Sequence, residues 1–278
     1  MFTPTGVQIG RWGQPTRWVR AAILVLWVFL LIGCSGSVQL TSQWSDQGVT
    51  VDGVALEWLD AAMYTKGLDA SLGVKNDRDF LYVCLTTSSR QIQMQMLLLG
   101  CTVWFDPQGG KDKTFGIHFP IGGMSPGRRF PTRDNPEEFR RFLEIAQREL
   151  EILGPEKDQR QRFQDRLAKG VDVHLGFADG MLTYELKVPL RKSGDHPYAI
   201  SADTVPTVSV GFEIGELTDE ARSRVAAPER AISSTPRGRS GGRSTPGGTP
   251  SIGGANQLEP LKLWATVQLA GGTAPVAK

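Results

Sequence analysis

Residues 72–85 read Leu-Gly-Val-Lys-Asn-Asp-Arg-Asp-Phe-Leu-Tyr-Val-Cys-Leu, and their reading decides the fold. Two short β-prone runs, Ala70–Val74 and Phe80–Thr86, flank a polar Asn76-Asp77 turn, the pattern of an antiparallel hairpin. The pattern recurs at Val171–Leu175 and Leu182–Val188, with Asp179-Gly180 between them. Tyr184, Leu186 and Val188 alternate there with Glu185 and Lys187, which predicts one buried face and one wet face. Further candidate strands are Val49–Val51, Gly100–Phe105, Thr114–Phe119, Thr207–Glu213 and Leu263–Leu269. Short strands without alternating helices predict a mainly β protein: one antiparallel β-sandwich of about 8–10 strands spanning residues 48–270.

Two segments interrupt this pattern. Asn135-Pro136-Glu137-Glu138 is a helix start, with a capping side chain, a proline in the first turn and acids at the positive helix end. Phe139, Phe142, Leu143, Ala146, Leu150 and Leu153 follow at helical spacing up to Gly154-Pro155, and a more polar stretch, Glu156–Lys169, reads as a second helix. Residues 136–169 are therefore expected to be a helical insertion, covering one end of the core or docking a partner. In residues 228–256, 19 of 29 positions are Gly, Pro, Ser or Thr and none is aromatic. Such a composition buries too little apolar surface to offset its ordering entropy and predicts a disordered Gly/Pro/Ser/Arg-rich loop before the last strand. Residues 271–278 read as a flexible tail.

The 278-residue chain has 31 basic and 29 acidic side chains. Residues 1–20 hold Arg11, Arg17 and Arg20 and no acid, and an apolar run, Ala21–Ile32, follows. As a helix this run spans about 18 Å, short of the ~30 Å hydrocarbon core of a bilayer, which favours a secretory signal over a membrane span. Leu31-Ile32-Gly33-Cys34 resembles the lipobox of bacterial lipoproteins. The resemblance implies a signal peptide over 1–33, cleavage before Cys34, and acylation of that cysteine, which makes membrane lipid its partner. Ser35, in place of the aspartate that resembles an inner-membrane retention signal, implies the outer membrane of a Gram-negative bacterium. Residues 34–47 then read as a tether. Without the leader the chain carries 28 basic and 29 acidic groups, so no nucleic-acid partner is expected.

Val51-Asp52-Gly53 leading to Glu57-Trp58, the hairpin at 72–85, CTVWFDP (101–107), FGIHFP (115–120), TYELKVPL (183–190) and VGFEIGEL (210–217) together resemble the family 9 carbohydrate-binding module and related DOMON-type sandwiches. The resemblance implies a sugar- or ligand-binding body that is not an enzyme, binding through a pair of exposed aromatic rings. Trp44, Trp58, Trp104, Trp264, Tyr64, Tyr82, Tyr184 and Tyr198 are available, mostly in apolar strand contexts, and the pair stays unassigned. Trp58, with Leu56 and Leu59, reads as core.

Other chemistry finds little support. Asn76, Asp77, Asp79 and Asp106 offer oxygens but lack a full calcium loop, and they read as turn residues. His118, His174 and His196 stand apart with no metal-ligand spacing, and no nucleophile motif occurs, so neither a catalytic nor a metal site is assigned. Some DOMON-type relatives bind haem, but Met63, Met94 and Met96 include no distinguishable axial ligand, and no cofactor is expected. Cys84 and Cys101 lie in predicted strands as buried thiols, with a disulfide as the alternative in an oxidising compartment. The expected function is that of a membrane-anchored binding lipoprotein for carbohydrate or another cell-envelope component. The alternative is a structural accessory lipoprotein that docks an envelope protein through its helical insertion.

Overall fold

A computed structural model describes residues 37–122, 135–156, 158–202, 206–215 and 260–272. In chain order the elements are β1 (Val38–Thr41), β2 (Gln43–Trp44), β3 (Ala62–Thr65), β4 (Ala70–Asn76), β5 (Phe80–Thr87) and α1 (Arg90–Leu99). They continue with β6 (Cys101–Asp106), β7 (Phe115–His118), α2 (Pro136–Ala146), β8 (Leu150–Leu153), β9 (Arg160–Phe163) and β10 (Leu167–Ala168). The last are β11 (Val171–Ala178), β12 (Met181–Pro189), β13 (Thr207–Ile214) and β14 (Leu261–Gln268). Two 7-stranded sheets result. Sheet A has the order β1-β14-β13-β6-β7-β8-β9. Sheet B has the order β10-β11-β12-β5-β4-β2, with β3 also paired to β4. Pairing is antiparallel except for β1 with β14 and β2 with β4.

The mainly β sandwich expected from the sequence is present, and its hairpins form where the turns predicted them. Asp77 Oδ1 accepts from the backbone N–H of Asp79 and of Phe80, each at 2.7 Å, closing β4 onto β5. Asp179 and Gly180 both take positive φ, 51° and 78°, which suits the tight link from β11 to β12. Alternate side chains fill the space between the sheets. Leu72, Val83, Leu85, Tyr184 and Leu186 from sheet B share one core with Val103, Phe105, Ile117, Val210, Phe212 and Val267 from sheet A.

Four readings are corrected. First, the tether ends earlier than expected: residues 38–41 pair with Ala265–Gln268 and residues 43–44 with Lys75–Asn76, so the folded unit starts at Val38 instead of 48. Second, Val49–Val51 forms no strand; it enters a strap that crosses the outer face of sheet B. Third, the insertion at 136–169 is helical only over Pro136–Ala146. Its start is as read, with Asn135 Oδ1 accepting from the Glu138 N–H at 3.1 Å. Beyond Gln147 the chain becomes β8 and β9, because Leu150 and Ile152, two apart, fill the inner face of sheet A beside β7. The stretch read as a second helix, 156–169, thus forms exposed edge strand β9 and short β10, and arginines at an edge block further pairing. Phe139, Phe142 and Leu143 of α2 are buried in the core, so the apolar stripe of this helix is already covered.

Fourth, the sequence reading assigned no helix to Arg90–Leu99. Gln91-Ile92-Gln93-Met94-Gln95-Met96 alternates at the strand period, yet the chain coils and buries Ile92, Met96 and Leu97. The leader 1–33, Cys34, the loop 228–256 and residues 273–278 lie outside the described residues.

Candidate functional site

The outer face of sheet A carries two tryptophans in one cross-strand row. Trp264 of β14 and Trp104 of β6 both stand opposite Gly211 of β13, and Trp104 also stands opposite Gly116 of β7. Period-two alternation turns both away from the core that Val103, Phe105 and Ala265 enter. The glycines let the indoles lie down. A Cβ at Gly211 would come within 2.7 Å of Trp264 Cε2, and one at Gly116 within 2.7 Å of Trp104 Cε3. Each ring therefore rests one face on bare backbone while the residue stays partly exposed. Trp264 covers β13, whereas Trp104, with its benzo edge on Gly116 and its Nε1 reaching Glu213 of β13, spans from β7 back toward β13, so the two rings are neighbours along the row.

A polar row runs beside the indoles: Lys262, Glu213, Thr102, His118, Glu151 and Arg162 are successive cross-strand neighbours. Glu213 holds it together. Trp104 Nε1 donates to Glu213 Oε2 at 3.0 Å, Lys262 Nζ lies 3.0 Å from Oε1, and Lys113 Nζ pairs with Oε2. Burial pushes the Glu213 carboxyl up, but these hydrogen bonds and the Lys113 charge outweigh it and hold the group below its ordinary value. Lys113 Nζ also sits 5.3 Å from a Trp104 ring centroid. His118 Nε2 lies 3.2 Å from the Ile121 carbonyl, which can only accept, so Nε2 carries the proton. Nδ1 then accepts from Thr102 Oγ1 at 2.9 Å. Burial pushes the His118 pKa down, keeping the ring neutral. Flat apolar faces with carboxylate, hydroxyl and ammonium groups alongside can stack on a sugar ring and bond its hydroxyls.

The outer face of sheet B is closed. Glu185, read as solvent-facing, is 0% exposed, because the strap of residues 49–60 lies over it. Its Oε2 accepts from the backbone N–H of Asp52 at 2.9 Å and of Gly53 at 2.5 Å, and its Oε1 accepts from Trp58 Nε1 at 2.6 Å. Desolvation is the larger effect and holds this carboxyl above its ordinary value despite the three donors. Gly53 takes φ +81° and its carbonyl lies directly on Gly176, where a Cβ would collide with it. Trp58 is core as expected, 1% exposed against Tyr82 and Cys84, whereas Leu56 and Leu59 point outward, 74% and 76% exposed.

Cys84 and Cys101 are free buried thiols, so the disulfide alternative is not realised. Cys101 faces the core between the sheets, and Cys84 faces outward beneath the strap. Asp77 and Asp106 serve turns: Asp106 accepts from the N–H of Gln108 and of Asp112, each at 2.9 Å. No cluster of three or more metal-ligating side chains occurs among the described residues. His174, beside Glu185 on sheet B, and His196, against Phe80, lie far apart in the fold from His118 on sheet A. Of the other aromatic candidates, Tyr82 and Tyr184 are buried. Trp44 bonds Asp46 at the sheet edge, Tyr198 bonds Gln161, and Tyr64 is exposed beside Asp69. Sequence alone does not single out the Trp104–Trp264 pair, because its neighbours along the chain are apolar. The signal that finds it is strand alternation, read together with the glycines opposite.

No protein-family model matches the chain, and no curated protein matches it. Among solved structures it is similar to a family 9 carbohydrate-binding module from Caldicellulosiruptor kristjanssonii in complex with cellotriose, at 9% identity and TM-score 0.37, covering 86% of this chain and 97% of that one. It is similar also to such a module from the same organism in complex with glucose, at 10% identity and TM-score 0.35, covering 86% and 100%. Overlap this loose transfers no ligand, and the functional reading rests on the geometry of the face itself.

Proposed function

We propose that the protein is a non-catalytic carbohydrate-binding module that holds an oligosaccharide across Trp104 and Trp264 and is carried at a membrane surface by an acylated Cys34. The observation that supports the binding role is the pair of indoles laid flat on Gly116 and Gly211, with a row of hydrogen-bonding side chains beside them. Two rings side by side along one row suit linked sugar units better than a single one. The basic start, short apolar run and Leu31-Ile32-Gly33-Cys34 support the anchor, and Ser35 supports the outer membrane.

Calorimetric titration against cello-, xylo-, manno- and chito-oligosaccharides and peptidoglycan fragments tests the binding role. One class should bind, with affinity rising with chain length, and Trp104→Ala and Trp264→Ala should each weaken it about tenfold, ~1.4 kcal/mol. No binding across the panel, or binding indifferent to both substitutions, refutes it. Palmitate labelling that is lost in Cys34→Ser tests the anchor, and membrane fractionation tests the location.

A further inference from the structure

Eight large apolar side chains are exposed among the described residues, and four of them lie along one rim, at the β3 side of sheet B: Leu56 and Leu59 of the strap, and Met63 and Tyr64, which project to the two faces of edge strand β3. Val54 lies over β11, beside Gly53 and Gly176, and Ile145, Leu167 and Met181 lie on other elements. Leu56 and Leu59 are three residues apart at the 3-10 turn of residues 55–58, a spacing that puts both on the same side while Trp58 turns inward. β3 lies along the free edge of β4, paired to Ala70–Gly73. The same flank receives the start of the fold. β1 is the edge of sheet A, passes through Ser42 into β2, and β2 joins the same edge of β4 further along, at Lys75 and Asn76. Val38 therefore lies toward the end of the flank that bears β3. The turn Lys66–Leu68, directly after β3, also touches β14, the partner of β1.

We infer that this rim is a membrane-contact surface: Leu56, Leu59, Met63 and Tyr64 enter the headgroup–acyl boundary of the bilayer that holds Cys34. The inference rests on the anchor reading and goes beyond it. Three residues, 35–37, separate Cys34 from Val38, and the four Cα–Cα steps between them, even fully extended, reach no further than about 14 Å. An acylated Cys34 thus holds the body within reach of the headgroups, on the flank where leucines and a tyrosine are bare. Leucine and tyrosine side chains are suited to that boundary. The partner is a lipid surface, and anchor and rim together orient the sandwich on it.

The test uses the full chain, purified from membranes and reconstituted in vesicles of phosphatidylethanolamine and phosphatidylglycerol. An environment-sensitive fluorophore is placed at Leu59→Cys, at Met63→Cys, or at Asp158→Cys, the last in the turn at the β9 edge of sheet A, opposite β1. Cys84 and Cys101 are buried and stay unlabelled. Labels at 59 and 63 should brighten several-fold and be quenched by bromolipid, and the label at 158 should do neither. Leu56→Asp combined with Leu59→Asp, at two exposed positions that leave the fold intact, should abolish the effect at 63 while the protein stays vesicle-bound. Equal, water-like emission at all three positions in vesicle-bound protein overturns the inference. Protection that appears in detergent and grows with protein concentration also overturns it, because the occupant is then a second copy. Intact-mass measurement separates failure of the anchor, which leaves Cys34 without fatty acid.

Discussion

Truncating Glu185 to alanine removes the acceptor that ties the strap to sheet B. Three donors lose their partner: the backbone N–H groups of Asp52 and Gly53 and the indole N–H of Trp58. The first two lie toward the surface and regain water. The indole belongs to a ring 1% exposed and is left unpaired, at about 1–3 kcal/mol. Each hydrogen bond to a charged acceptor contributes about 1.5–3 kcal/mol, and release of a desolvated carboxylate returns part of the total. A net loss of about 3–4 kcal/mol is expected, which lowers Tm by ~10 °C in a folded unit of this size. Circular dichroism melts give the stability, and hydrogen exchange gives the strap: the Asp52 and Gly53 amides should exchange far faster in Glu185→Ala, while the β12 amides change only with global stability.

The pH dependence adds a second check. Because the folded pKa of Glu185 is raised above 4.5, the native state holds this proton more tightly between 4.5 and the folded value, and its contribution to stability grows as pH falls through that window. Glu185→Gln lacks this response, so the stability of the native protein relative to the variant should increase on acidification from pH 7 toward 4.5. A Glu185→Ala melt within about 2 °C of the native protein, with unchanged strap exchange, would refute the latch.

Other consequences follow from the same geometry. Gly116→Val should push the Trp104 indole off the sheet and reduce oligosaccharide affinity about as much as Trp104→Ala, at a stability cost of only ~1 kcal/mol because the ring can swing into solvent; titration and melting together check this. The Glu213 carboxyl is held below 4.5, so its contribution is present above that value and lost as pH falls through the folded pKa. Glu213→Gln should therefore melt lower than the native protein at pH 7, by about 1 kcal/mol, with the gap closing toward pH 3. Burial pushes the Cys101 thiol up to about 12 and raises Cys84 as well, so a thiol reagent at pH 8 should label neither until denaturant is added. Fast labelling of either in the folded protein would contradict the closed strap and core.

Much of the architecture was legible in the order of residues. Asn76-Asp77 and Asp179-Gly180 mark hairpins because their side chains or their freedom at positive φ fit the turn, and the capping Asn135 with Pro136 marks a helix start, all from local chemistry. The ends of elements were less legible. Leu150 and Leu153 fit a helical face as well as a strand, and only the vacant edge of β7 draws the chain into β8. Glu185 shows the same limit. Alternation correctly turned it away from the core, but whether that face meets water depends on residues 49–60, more than 120 positions earlier, folding back over it. Sequence alternation likewise faces Trp104 and Trp264 outward, and only the pairing of β14, β13, β6 and β7 brings them into one row with glycines beneath. Local chemistry acts over a few residues and can be read along the chain, whereas a binding face is assembled from strands distant in sequence and exists only once their register is set.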